Sequence, residues 1–238
     1  ASFSMPTNFP GAIWTTIDDP NAERGMLRLV PTVLLGRSLE GDLDDGNDRI
    51  RGGSESDWIW GGGENDLLEG GAGHDYIDGG LGNDSITGNE GDDTIRGGSG
   101  NDVLRGGDGI DQLFGDSGTD RLFGDAGDES GNLLGQRLFG GDGIDYLYAF
   151  SYATQLAAIQ LERLLPGDEL HGGTGGDRLY GSIRSEVIYG DEGNETVFAD
   201  ALAGPNYADW LHQSTVGGND SVYGGSGIDY LYGGGGDD

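Results

Sequence analysis

The sequence predicts an all-β repeat fold, a solenoid of short strands joined by glycine turns, and three observations lead there. From Leu43 to Phe123 the chain reads as consecutive nine-residue blocks of the form G-G-x-G-x-D-x-U-x, where U is a large aliphatic residue. Glycine takes 51 of 238 positions, roughly three times its usual share. Acidic residues number 43 against 12 basic, a net charge of −31, while apolar residues reach only 34%. Burial alone cannot offset roughly 1–2 kcal/mol of backbone entropy per ordered residue in such a chain. It would be disordered unless a regular repeat or a bound cation held it.

Residues 1–42 precede the repeat and contain two short apolar runs, Met26-Leu27-Arg28-Leu29-Val30 and Thr32-Val33-Leu34-Leu35, parted by Pro31. They read as strands or an extended cap over the first coil, which a solenoid needs to cover its end aliphatic and its free strand edge. Trp14 fits either a cap or a separate recognition element.

The repeat itself occupies 43–148. Its sixth-position aspartates are Asp48, Asp57, Asp66, Asp75, Asp84, Asp93, Asp102, Asp111 and Asp120, and the aliphatics two residues later run from Ile50 to Leu122. Glycines at the first, second and fourth positions let the turn visit φ > 0, which costs other residues roughly 1 kcal/mol or more. In a three-residue strand only the central side chain faces inward, so each block contributes one buried aliphatic to a thin stacked core.

A tenth block opens at Gly124 but is stretched to Phe139, and an intact block with Asp145 closes at Tyr148. The segment 149–171 follows as an insertion. Leu156, Ala157, Ile159 and Leu164 at helical spacing, ending at Pro166-Gly167, predict one amphipathic helix. The repeat resumes over 172–238 with a second insertion at 199–214 that carries Tyr207, Trp210, Leu211 and His212. Glu129, Glu186 and Glu195 replace aspartate in degenerate blocks. The ninth position, outward-facing, turns aromatic from Phe114 onward through Phe123, Phe139, Tyr148, Tyr180, Tyr189, Phe198, Tyr223 and Tyr232. Two readings of that ladder stay open: packing beneath the insertions, or an exposed face for a protein or carbohydrate partner.

These blocks resemble the RTX, or haemolysin-type calcium-binding, nonapeptide repeat. The resemblance implies a right-handed parallel β-roll in which six residues of a block turn and bind Ca²⁺, three form a strand, and two blocks close one coil. Aspartates 18 residues apart then stack in two rows, Asp48 to Asp120 and Asp57 to Asp111. At one strand spacing, about 4.8 Å, two carboxylates repel by about 0.9 kcal/mol in water and about 3.5 at an effective dielectric of 20. Calcium between consecutive turns reverses that sign, because a hard cation takes six to eight oxygens. The implied ligands are the nine aspartates already named, then Asp145, Asp168, Asp177, Asp220, Asp229 and Asp238, with turn carbonyls such as those of Gly61, Gly70, Gly79 and Gly97. The uninterrupted array supplies about seven pairs, and later blocks bring the expected total to roughly a dozen ions.

The stretch Asp42 to Asp48 is not an EF-hand loop, since its glycine falls at the fifth place and no glutamate occupies the twelfth. No nucleophile elbow, H-E-x-x-H motif or P-loop occurs, and every basic residue is arginine. His74 and His171 read as block substitutions, and His212 has no evident catalytic partner. The expectation is therefore a non-enzyme. Its acidity argues against nucleic acid, no run is long enough to span a bilayer, and the absence of cysteine rules out a disulfide framework.

Two functions remain open. One is a calcium-rigidified, extracellular structural or adhesive rod, self-associating head to tail through its solenoid ends. The other is the folding and secretion module of a larger enzyme, as the family's proteases, lipases and alginate epimerases imply. The resemblance further implies bacterial export by type I secretion. A chain that lacks an initiator methionine and stops within a turn suits processing, a fragment, or a coil completed by another subunit.

Overall fold

The computed structural model describes residues 46–124, 135–149, 166–182, 184–199, 219–234 and 236–238, with the strands Met26–Leu27 and Leu34–Leu35. All strand pairing among them is parallel, in two sheets that the chain visits alternately. The first sheet stacks Met26–Leu27, Arg49–Gly53, Leu67–Ala72, Ser85–Glu90, Val103–Asp108, Arg121–Phe123, Tyr146–Tyr148, Arg178–Tyr180, Thr196–Phe198 and Tyr230–Tyr232. The second stacks Leu34–Leu35, Trp58–Gly62, Tyr76–Leu81, Thr94–Ser99, Gln112–Gly118, Arg137–Gly143, Pro166–Gly175, Ser185–Tyr189 and Ser221–Tyr223, with Glu192–Gly193 and Ser226–Gly227 beside its later members. One coil is thus a strand from each sheet and two turns. The ladder crosses every interruption of the sequence, so the roll is continuous.

Each block buries every second residue, because successive side chains of a strand point to opposite faces. In the block around Leu68 the inward residues are Asp66, Leu68 and Gly70, so the interior holds columns of aspartate, aliphatic and glycine. The aliphatic columns are in register, Ile50 on Leu68 on Ile86 in one sheet and Ile59 on Ile77 on Ile95 in the other, all fully buried or nearly so. Stacked coils make a continuous core from residues that no single block could bury. From the two N-terminal runs, Met26–Leu27 and Leu34–Leu35 extend the two sheets as strands, Leu27 in register with Ile50 and Leu34 with Ile59.

From Arg49 to Gly118 the strands are longer than three residues. Pairing continues into the turn through Gly53 on Gly71 and Gly62 on Gly80, because the glycine backbone keeps the parallel ladder while it bends. Second- and fourth-position glycines supply the bend with positive φ, as at Gly80 (104°) and Gly82 (123°).

No helix occurs among the described residues. The helix expected between 149 and 166, the second insertion with His212, Glu129 and nearly all of 1–42 lie outside them. Within the described part of the first insertion, Pro166–Gly175 is a strand, so 166–171 already belongs to the roll and not to a helical segment. The ninth-position aromatics form two stacked columns on the outer faces. Phe123, Tyr148, Tyr180, Phe198 and Tyr232 follow one another at 4.8–5.5 Å. Phe114, Phe139, His171, Tyr189 and Tyr223 do so at 4.5–5.0 Å, with the His171 ring stacked as one of them.

Candidate metal centre

The turns line the two edges of the roll. On the first edge, where the chain passes into the first sheet, the sixth-position residues are Asp48, Asp66, Asp84, Asp102, Asp120, Asp145, Asp177, Glu195 and Asp229. On the second edge they are Asp57, Asp75, Asp93, Asp111, Gln136, Asp168, Glu186, Asp220 and Asp238. Asp48 and Asp229 are half-buried and Asp238 is exposed at the ends of the rows; the others are buried.

Within a row, successive aspartates use one carboxylate oxygen on the coil before them. The Asp66 amide N–H donates to Asp84 Oδ1 at 2.7 Å, Asp84 to Asp102 at 2.7 Å and Asp102 to Asp120 at 2.8 Å. The second edge repeats the pattern from Asp57 to Asp75 and from Asp75 to Asp93, both at 2.7 Å. The other oxygen is different. Oδ2 of Asp75, Asp84, Asp93, Asp102, Asp120, Asp145 and Asp177 is buried and accepts no hydrogen bond. A buried polar atom left in that condition costs about 1–3 kcal/mol, more when charged.

First-position glycines give these oxygens their place. Their φ is not in the left-handed region, contrary to the sequence expectation; what they lack is room. A Cβ added at Gly79 would lie 2.3 Å from Asp84 Oδ2 and 2.6 Å from the Gly97 carbonyl oxygen, and one at Gly61 would lie 2.3 Å from Asp66 Oδ2 and 2.5 Å from the Gly79 carbonyl oxygen. The carbonyls of Gly70, Gly79 and Gly97 therefore converge with aspartate oxygens one coil away, while position 43, which would face Gly61 O, lies outside the described residues.

Burial without a cation pushes these carboxyls up. Asp93 rises to about 8, through desolvation opposed by the Asp75 N–H and reinforced by Asp111, Asp75 and Asp92. Asp102 and Asp145 rise to about 7 and Asp84, Asp120 and Asp177 to about 6, desolvation again leading. Each row is thus set for positive charge that the protein does not supply.

The edges part company after Phe123. The chain leaves the described residues at 125–134, 150–165 and 200–218, every time between a first-sheet strand and the next second-sheet strand. All three interruptions fall on the second edge, as does the degenerate turn 181–186. Meanwhile the first edge keeps a six-residue turn at every step, 115–120, 140–145, 172–177, 190–195 and 224–229. On the interrupted stretch, Ala149 and Ala199 are buried directly after their strands, at the place where intact turns carry the first glycine. A neutral Gln136 occupies the row between Asp111 and Asp168, its amide N–H donating to Asp168 Oδ1 at 2.7 Å. The sequence expectation puts Glu129 at this place; the stretched block moves it to Gln136, which stands two residues before the core Leu138. Glu186 takes a hydrogen bond from Ser182 Oγ and is held well above the usual carboxylate range, first by burial and then by Asp168 and Asp220.

A further column was illegible because its position looks variable. Fifth-position side chains accept the amide N–H of the fifth residue one coil on. Asn65 donates to Asn47 Oδ1 at 3.0 Å, Asn83 to Asn65 at 2.6 Å, Asn101 to Asn83 at 2.7 Å and Thr119 to Asn101 at 2.8 Å. His74 does the same on the other edge, its Nδ1 accepting the Asp92 N–H at 2.9 Å.

Among the described residues no three His, Cys, Asp or Glu side chains cluster around one point. Each candidate site is instead a pair of stacked carboxylates completed by backbone carbonyls. That all-oxygen set, with its unpartnered buried oxygens and a cradle that a Cβ would fill, fits a hard divalent cation of calcium's type. No helix among the described residues is long and apolar enough to cross a membrane.

Comparison with known families agrees with this geometry. The RTX calcium-binding nonapeptide repeat matches residues 43–77, 69–104, 96–128, 130–151, 171–202 and 214–238, more than half of the chain. A search of curated proteins returns no match. Stacked parallel coils, a glycine-aspartate turn at each step and this match together place the chain in the RTX calcium-binding nonapeptide repeat family.

Proposed function

We propose that this chain is a non-catalytic, extracellular calcium-binding protein that folds on Ca²⁺ into a rigid rod and serves a structural or adhesive role at a cell surface. The observation that carries the reading is the two rows of stacked carboxylates, in which the buried Oδ2 of Asp75, Asp84, Asp93, Asp102, Asp120, Asp145 and Asp177 accepts no hydrogen bond. Bound calcium would supply the missing charge and link consecutive turns.

On this reading the ligands are the first-edge residues from Asp48 to Asp229. On the second edge they are Asp57, Asp75, Asp93 and Asp111, then Asp220 with Asp238 at the far end. Asp168 stands between Gln136 and Glu186, where intact turns are missing, and contributes least. The stacked aromatics stiffen the later half of the rod without metal, since ring pairs at these separations add about 0.5–1.5 kcal/mol beyond burial.

The test is a calcium titration followed by circular dichroism and native mass spectrometry. The expected result is a cooperative gain of β signal at neutral pH with many ions bound. A chain that keeps its full β signal in excess chelator would overturn the reading.

A further inference from the structure

The fold sorts charge in a way that the sequence does not display. Acidic residues collect on the turn edges, whereas the outward seventh and ninth block positions of the first sheet, ahead of the turns, carry Arg49, Arg51, Arg105, Arg121 and Arg178 against one acid, Glu69. Arg51 and Arg49 engage that glutamate, at 2.8 and 3.7 Å. Arg105, Arg121 and Arg178 are exposed, and no carboxylate among the described residues lies within ion-pair distance of them, in a chain with 43 acidic residues. Aromatic rings order them instead. Arg121 and Arg178 lie over Tyr146 at 5.4 and 5.2 Å, Arg178 donates to Tyr146 Oη at 2.7 Å, and Arg105 lies over Phe123 at 4.9 Å.

Ordered arginine and tyrosine with few acids is the composition of a protein-binding patch, in which these two residue types carry most of the energy. The matching partner is acidic, extended, and repeats its charge at one strand spacing. This chain's own second edge has that form. Glu90 and Asp108, exposed and in register on adjacent coils, stand beside exposed Asp92.

We propose that the outer face of the first sheet, centred on Arg121, Tyr146 and Arg178, docks the acidic second edge of another copy of this chain. Face and edge are different surfaces, so the contact is heterologous and does not close, and rods associate side by side into open arrays. It rests on the calcium reading above only in that the roll must be folded. Calcium on the rows removes most of the repulsion between copies and leaves the face arginines and the outward-pointing acids to find one another.

The experiment is sedimentation velocity in millimolar calcium over a range of protein concentration, at low and high salt. The native chain is expected to associate at low salt and to dissociate at high salt. Arg121→Glu with Arg178→Glu is expected to abolish association, and so is Glu90→Lys with Asp108→Lys, while an equal mixture of the two double variants associates again. A merely structural role for these residues does not produce that rescue. A monomeric native chain, association that survives the face substitutions, or a face that binds an acidic polysaccharide such as polygalacturonate while the chain stays monomeric would each overturn the proposal. Circular dichroism of the same samples keeps the two readings apart. Variants that fold on calcium but sediment as the native chain does sink the contact alone, and β signal retained in chelator sinks the calcium reading alone.

Discussion

At the scale of single residues, two kinds of glycine share one motif. Second and fourth positions need a left-handed backbone, and other residues do reach it: Glu64 (φ 66°), Asn89 (85°), Asp116 (71°) and Asp191 (70°) all stand there. Asparagine and aspartate tolerate that region best, at modest cost. First positions are stricter, because the space for a Cβ is filled by an aspartate oxygen and a carbonyl of the next coil. Gly79→Ala is therefore expected to cost about 1–3 kcal/mol through overpacking and to raise the calcium midpoint of folding several-fold. An Asn89→Ala control at a second position should move that midpoint less. Equal effects of the two substitutions, read by calcium-titrated circular dichroism, would show that room at the first position is not what matters. The sequence exposes all these glycines but assigns them one shared reason, since only packing against the next coil separates a φ requirement from a steric one.

At the scale of elements, the unit is the turn stacked on its neighbour, and the two edges are unequal. Removing a ligand from an intact row has a different consequence from adding a carboxylate to the interrupted one. Asp102→Asn leaves the hydrogen bond to the Asp84 N–H possible but takes charge from its row, so the number of bound ions should fall and the calcium midpoint rise. Gln136→Asp should lower stability and leave the ion count unchanged, because the three atoms nearest a Cβ at Gly124 all belong to Gln136, at 3.3–3.4 Å, and no carbonyl of the next coil is among them as it is at Gly79. Native mass spectrometry reads both variants, and an additional ion on the second would contradict the edge assignment. The period of nine made the blocks legible as far as Phe123. Beyond it the insertions shift the count, and which edge a block belongs to depends on strand pairing rather than on spacing.

For the whole molecule, the metal-free roll is governed by carboxyls whose folded pKa lies above the unfolded value. Asp84, Asp120 and Asp177 sit at about 6, Asp102 and Asp145 at about 7 and Asp93 at about 8, against 3.8 for an ordinary aspartate. The folded state then binds more protons than the unfolded one, so its stability falls as pH rises. This contribution is fully present below about pH 4 and is lost as pH climbs to about 8. In chelator the chain should gain β structure on acidification from pH 8 toward 4, and calcium binding at neutral pH should release protons. Circular dichroism against pH, with calorimetry in two buffers of different ionisation enthalpy, checks both. A metal-free form most structured at alkaline pH would reverse the sign and remove the basis of the account.

By itself the sequence determined the repeat, its aspartates and aliphatics, and the expectation of bound cations, because a nine-residue period fixes what each residue type must do within one block. It also supplied two short apolar runs ahead of the repeat, which the fold uses as first-coil strands. Only the tertiary structure decided that the interrupted turns and the turn 181–186 share one edge, that fifth-position side chains hold the amides of the next coil, and that arginines gather on one sheet face. Those relations join residues 18 to 34 positions apart, after insertions of unequal length. Spacing along the chain no longer measures them, and the stacking of coils does.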